Sequence, residues 1–139
     1  MQSMLTPVLA LVCWTLAILI FMGFRRFSNY AVLAESVKQS PRNQELKGLP
    51  DKAVWAADNY NHLHEQPTLF YALAIYSDLA GVADPLNVGL GWLYVASRVL
   101  HSLVQVTSND VKLRSSMFFL GTFALIAIAA RNVIALAVV

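Results

Sequence analysis

Two ionisable residues, Glu65 and Arg98, lie inside stretches of the sequence that are otherwise apolar enough to enter a lipid bilayer. Each has a histidine one helical turn away, His62 before the glutamate and His101 after the arginine. A charged side chain in a transmembrane helix costs about 2.5–3.5 kcal/mol on insertion, so it normally faces a protein interior or a hydrated cavity. These four residues therefore predict a polar site at membrane depth.

Three further residues extend this polar group. Asn59 lies at the margin of the helix face that carries the glutamate, and Gln105 continues the face of the arginine by one turn. Arg114 stands at the start of the last apolar segment, from where its long side chain can reach the same cavity. Because several hydrogen-bond donors converge there, we infer an anionic ligand.

Two other interpretations stay open for these residues. Glu65 and Arg98 could form a structural ion pair that fixes the register of two helices. Taken alone, these two residues fit a structural pair about as well as a ligand site. His62 and Glu65 could also ligate a metal ion. No third ligand has a clear spacing, so the sequence predicts no metal site.

The composition places this polar group in an integral membrane protein. Of the 139 residues, 58% are hydrophobic and 13% are charged, whereas about 25% of the residues of soluble domains are charged. The net charge of +2 is too small and too dispersed for a nucleic-acid partner. The length leaves room for one domain, over residues 1–139.

The apolar segments predict an all-α fold, a bundle of four transmembrane helices at about 5–27, 53–79, 85–106 and 111–137. Pro67 predicts a kink within the second helix. The polar stretch 28–52 is the longest connection, with a short amphipathic helix around 30–38.

Basic residues predict how the bundle is oriented. They concentrate in the first and third connections, and the second connection has only acidic charges. Because positive charge marks cytoplasmic loops, both termini are expected outside the cytoplasm. The basic residues are Arg25, Arg26, Lys38, Arg42, Lys47, Lys52, Lys112 and Arg114.

Two segments resemble the MAPEG family, the membrane-associated proteins in eicosanoid and glutathione metabolism. They are residues 59–71, NYNHLHEQPTLFY, and residues 98–102, RVLHS. The order of motifs along the whole chain agrees with that family: four helices, a long first connection, a glutamate and a proline in the second helix, and arginines in the third and at the start of the fourth. The sequence is most similar to a bacterial branch, which implies a bacterial inner membrane.

The resemblance implies a homotrimer with glutathione bound in clefts between adjacent subunits on the cytoplasmic side. Carried over by position, Arg98 and Arg114 contact the tripeptide, Glu65 binds its amino end or orients an arginine, and His101 supports them. His62, Gln105 and Asn59 complete the predicted binding group, and Ser115 and Asn109 are secondary donors.

Arg114 is the predicted catalytic residue. An unperturbed thiol has a pKa of about 8.5, and a guanidinium close to it favours the thiolate. The thiolate would attack a lipophilic electrophile or a peroxide dissolved in the membrane, which gives a glutathione-dependent transferase or peroxidase.

Two departures from the family pattern favour a second function. His62 stands where an asparagine is common, and Asp58 where glutathione-binding members often have an arginine. A third departure is Gln105, which stands where a tyrosine is frequent and so leaves that position without a phenolic hydroxyl. The alternative is a noncatalytic trimeric membrane protein that binds a lipid or another anionic metabolite in the same clefts.

Overall fold

The computed structural model describes residues 3–39 and 48–138, and within these ranges the chain is helical without a strand. The predicted all-α class is confirmed. Arg42 and Lys47, two of the basic residues of the first connection, lie outside the described residues. The helices are α1 (Leu5–Phe27), α2 (Tyr30–Gln39), α3 (Asp51–Glu65), α4 (Pro67–Leu79), α5 (Pro85–Thr107) and α6 (Val111–Val138).

The long helices form a bundle of four columns, in which α3 and α4 together make one column. α1 packs against α3, α4 and α5, and α6 packs against α4 and α5. The short α2 follows α1 and contacts it. α5 and α6 have the most extensive contact because the connection between them spans only residues 108–110.

Two helices, α1 and α6, are long and apolar enough to cross a membrane by length and composition. Their outer faces expose large apolar side chains, including Ile20, Phe119 and Phe123. A soluble monomer rarely exposes so large an apolar surface, whereas a bilayer solvates it. In the other two columns the apolar helix is interrupted. One is divided by the junction at Gln66, and the apolar sequence of α5 is broken by its polar residues.

The predicted kink at Pro67 falls at a break in the helix between α3 and α4. Proline has no backbone N–H to continue the hydrogen-bond ladder, so α3 ends at Glu65 and α4 begins with the proline as its first residue. Gln66 keeps helical dihedrals, with φ −63° and ψ −35°. The helical hydrogen-bond ladder is therefore interrupted at Gln66, and the column continues as α4.

The turns around α5 hold its two ends in place. Asp84 caps the N-terminus, since its side chain accepts a hydrogen bond from the backbone N–H of Asn87 at 2.8 Å. α4 ends before Gly81, whose φ of 70° is accessible to glycine without strain. After α5, Asn109 adopts a φ of 54° and donates its backbone N–H to the carbonyl of Val104 at 2.7 Å.

The core of the bundle lies directly beside the polar residues of α5. Phe70 of α4 stacks on Tyr94 of α5, with ring centroids 4.6 Å apart, and both residues are fully buried. Leu11, Ala124 and Ile128 complete this packing from α1 and α6. One helical turn after Tyr94 comes Arg98, so the aromatic core supports one wall of the candidate site.

Candidate functional site

A cleft of about 240 Å³ lies between the end of α3, the middle of α5 and the start of α6. Five of the seven predicted site residues line it: His62, Glu65, Arg98, His101 and Arg114. Asn59 and Gln105 do not line it. The other lining residues are Gln66, Ser115, Phe118 and Phe119.

Arg98 is buried in the inner wall, with 3% of its surface exposed. Its Nη2 donates a hydrogen bond to Oε1 of Gln66. Its guanidinium carbon lies 5.1 Å from the ring centroid of Tyr94 and 5.0 Å from that of Phe118, within the range of cation–π attraction. These partners fix the guanidinium, and all three are uncharged.

The structural ion pair between Glu65 and Arg98 is not formed. Within residues 3–39 and 48–138, the salt bridges join Lys38 to Glu35 at 3.7 Å and Arg131 to Asp84. Successive residues of a helix point about 100° apart, because a turn takes about 3.6 residues. At the kink the side chain of residue 66 faces Arg98, and the adjacent Glu65 is exposed at the cleft.

Gly121 of α6 makes room for this arrangement. A Cβ atom at that position would lie 2.5 Å from Oγ of Ser97 and 3.2 Å from Nη2 of Arg98. The backbone of α6 can approach α5 this closely only because residue 121 has no side chain. Gly121 thus forms part of the wall behind the guanidinium.

Neither Gln66 nor Gly121 is among the site residues predicted from the sequence. Gln66 shares the broad helix face of Glu65, but it is uncharged and so gives no signal of a costly group in the membrane. A glycine in an apolar helix is common and does not by itself identify its neighbour. The position of both residues against Arg98 depends on how α5 and α6 pack.

Asn59 and Gln105 form a buried amide cluster behind the cleft. They are 0% and 2% exposed. The Gln105 Oε1 accepts a hydrogen bond from Nδ2 of Asn59 at 3.0 Å and lies 3.2 Å from Nδ1 of His62. Because an amide oxygen only accepts, Nδ1 of His62 carries the proton. The two amides therefore orient His62 instead of facing the cleft themselves.

His101 connects α5 to the first turn of α6. Its Nδ1 lies 3.0 Å from the backbone oxygen of Arg114, so this nitrogen is the donor, and in the neutral ring Nε2 is an acceptor. Nε2 is buried and has no hydrogen-bond partner in the described part of the chain. The bond from His101 fixes the backbone that carries Arg114.

Arg114 lies half-buried at the mouth of the cleft. Its Nη1 donates to Oδ1 of Asn109, so the amide predicted as a secondary ligand donor holds the arginine through its oxygen. Its Nε has no partner among the residues that the structure describes. Ser115, the other predicted secondary donor, lines the cleft next to it.

The acidic residues near the cleft compensate its positive charge only in part. Asp58 is exposed and lies off the cleft wall, so Glu65 is the one carboxylate that lines the cleft in the described structure. No group of three or more His, Cys, Asp or Glu residues in the described ranges is placed to hold a metal ion. Two arginines line the cleft, and the buried Nε of each has no hydrogen-bond partner among the described residues, so the cleft could accept an anion.

The sequence model of the MAPEG family matches residues 4–134 of the chain. No curated protein matches the chain, and no solved structure matches it.

Proposed function

The chain belongs to the MAPEG family of helical membrane proteins, and on that premise we propose that it is a glutathione-dependent transferase or peroxidase acting on lipophilic electrophiles. Members of this family are glutathione-dependent transferases or peroxidases, or related membrane proteins. One observation carries the proposal: Arg98 is a buried cation at the wall of an open cleft, and its partners in the described structure are neutral.

The charges of the cleft complement those of glutathione. Two arginines and one glutamate line it, and glutathione carries two carboxylates and one ammonium. A guanidinium can bind a carboxylate through two parallel hydrogen bonds, which a lysine cannot do. Arg98 then binds a carboxylate of the tripeptide, and Glu65, whose own carboxylate is free of Arg98, binds the ammonium.

Arg114 supports the chemical step. Its guanidinium at the mouth of the cleft favours the thiolate of bound glutathione over the thiol. In the transferase reaction the thiol proton passes to water, the thiolate sulfur forms a bond to an electrophilic carbon, and the leaving group departs with the bonding electrons. Phe118 and Phe119 give the same cleft an apolar wall for a lipophilic substrate.

The small size of the cleft supports a site shared between subunits, and MAPEG proteins are generally trimeric, so the proposed assembly is a homotrimer. Its volume of about 240 Å³ falls below the range of about 300–1,000 Å³ that is usual for small-molecule sites. A neighbouring chain would supply the missing wall. Native mass spectrometry in detergent should therefore detect trimers, and a protein that stays monomeric at all concentrations would contradict the intersubunit site.

We propose a cytoplasmic site in a bacterial inner membrane, with both termini outside the cytoplasm. Arg25 and Arg26 follow the end of the apolar part of α1, and Lys112 and Arg114 start α6, so basic side chains surround the cleft end of the bundle. A topology reporter fused after Val139 should be active outside the cytoplasm, and one inserted near Gln44 inside. The reverse result would overturn this orientation.

Ligand binding tests the proposal directly. Glutathione or S-hexylglutathione should raise the melting temperature of the purified protein, because a ligand at about 100 times its Kd stabilises the folded state by about 2.7 kcal/mol. S-hexylcysteine, which lacks the outer residues of the tripeptide, is the matched control ligand. Binding without turnover on any lipophilic electrophile or peroxide would favour the noncatalytic function, and absence of binding would reject glutathione.

A further inference from the structure

The partners of Arg98 differ from those of an ordinary buried arginine. A guanidinium taken out of water usually has a carboxylate beside it, because the desolvation of an unpaired charge costs several kcal/mol. Here the hydrogen-bond acceptor is the amide oxygen of Gln66, and the other contacts are two aromatic faces. The protein holds the cation without neutralising it.

The orientation of the Gln66 amide is fixed by α6. Its Nε2 donates to Oγ1 of Thr122 at 2.8 Å, and that hydroxyl in turn donates to the backbone oxygen of Phe118 at 2.8 Å. With its nitrogen bound on one side, the amide presents its oxygen to the arginine on the other. The kink before Pro67 places the residue there.

We propose that Gln66 determines the charge specificity of the cleft: its neutral amide positions Arg98 and leaves the full positive charge of the guanidinium available to an anionic group of the ligand. A glutamate has nearly the same shape and would form an internal salt bridge at this position. The carboxylate of a ligand would then meet a neutralised arginine and a second negative charge. The inference rests on the proposed function only in taking that ligand to be glutathione.

The variant Gln66→Glu tests this inference against a pair of ligands that differ in charge. S-hexylglutathione and its dimethyl ester share their shape, but the ester has no carboxylates. The wild-type protein should bind the acid more tightly than the ester. In Gln66→Glu the melting temperature without ligand should rise, the Kd of the acid should increase at least about tenfold, and the preference for the acid over the ester should disappear.

Two further variants separate charge from shape. Asn61→Asp places the same negative charge on an exposed position of α3, where it should leave both the melting temperature and the preference unchanged. Gln66→Met removes the acceptor of the buried Nη2 without adding a charge. It should lower the melting temperature and still prefer the acid, because Arg98 keeps its charge.

Three results would overturn the inference. The first is that Gln66→Glu keeps the preference for the acid over the ester. The second is that Gln66→Met loses this preference as fully as Gln66→Glu does. The third applies if Gln66→Glu does not fold, and it is that Gln66→Met loses the preference. If the wild-type protein binds neither glutathione derivative, the proposed function fails. The same comparison is then made with decyl phosphate, which is anionic, and decanol, which is neutral. A preference of the wild type for decyl phosphate that Gln66→Glu loses would support the role of Gln66, and a wild type without any preference for the anion would reject that role.

Discussion

The buried or half-buried arginines at the two ends of this helix bundle differ in whether a carboxylate pairs with them. At the end away from the cleft, Arg131 of α6 donates to the carboxylate of Asp84 and, at 2.7 Å, to Oδ1 of Asn87. At the cleft, Arg98 of α5 donates to a neutral amide and lies against two aromatic rings. One cation is paired with an anion of the same chain, and the other is left unpaired.

Some of the other polar atoms at each end follow the same division. Away from the cleft, Asp78 accepts from Oγ of Ser3 at 2.7 Å and from the backbone N–H of Met4 at 3.0 Å, which ties the start of α1 to α4. Ser77 and Asn132 join α4 to α6 by a hydrogen bond of 3.0 Å. At the cleft, by contrast, Nε2 of His101 and Nε of Arg114 are buried without partners among the described residues.

The difference separates residues that hold the bundle together from residues kept for a ligand. A charge that is paired within the chain stabilises the fold modestly, whereas an unpaired charge at membrane depth costs stability. A cost of that kind is retained at sites where a ligand supplies the missing partner. The following predictions test this division, from the largest expected effect to the smallest.

Replacement of Arg114 by alanine should have the largest effect, on turnover. Loss of one preorganised donor that stabilises developing charge reduces kcat by about 100-fold or more. The melting temperature should change little, because Arg114 is only half-buried. Turnover with glutathione and the ultraviolet absorbance of the bound thiolate measure the effect. Lys112→Ala, an exposed basic residue two positions earlier, is the control, and full turnover in Arg114→Ala would remove this residue from catalysis.

Gly121→Ala should destabilise the protein and weaken ligand binding together. The added methyl group would lie 2.5 Å from Oγ of Ser97, and overpacking of this kind costs about 1–3 kcal/mol. The movement of α5 and α6 that relieves this contact also displaces the guanidinium of Arg98. Gly89→Ala is the matched control, since a Cβ there meets nothing within 4 Å and alanine favours a helix. Equal unfolding free energies for the two variants would contradict a close approach of α6.

Replacing each arginine with methionine should lower stability only at the end away from the cleft. Arg131→Met removes a partly exposed ion pair and a hydrogen bond, so it should lower the unfolding free energy by about 1 kcal/mol and leave ligand affinity unchanged. Arg98→Met removes an unpaired buried charge, so it should keep or raise stability and abolish binding of S-hexylglutathione. A larger loss of stability in Arg98→Met than in Arg131→Met would break the distinction between the two ends.

The sequence predicts the family and the helical membrane fold because both depend on local features. Long apolar segments define membrane helices, and the segments 59–71 and 98–102 keep their residue types and order regardless of packing. The prediction that Glu65 and Arg98 belong to one site also follows from the sequence, since ionisable groups at similar depth in a bilayer must face a shared interior.

The partner of Arg98 does not follow from the sequence in the same way. Glu65 and Gln66 are adjacent, and which of them faces α5 depends on how the helix continues past the break at Pro67 and on the space left by Gly121. Electrostatics alone favours the glutamate. Packing decides for the glutamine, and a single sequence carries no signal of that choice.

The smallest expected effect is the energetic coupling between Glu65 and Arg98. Their side chains form no salt bridge in the described structure, so the stability changes of Glu65→Gln and Arg98→Met should add to within about 0.5 kcal/mol in the absence of ligand. A double-mutant cycle of unfolding free energies measures this coupling, and the same cycle on Asp84→Asn and Arg131→Met gives the reference value for a pair that is formed. A structural ion pair between Glu65 and Arg98 would instead make each single replacement cost about 3–5 kcal/mol, with the double replacement largely restoring stability. That outcome would show that the cation at the cleft is neutralised by its own chain, and the contrast between the two ends of the bundle would no longer hold.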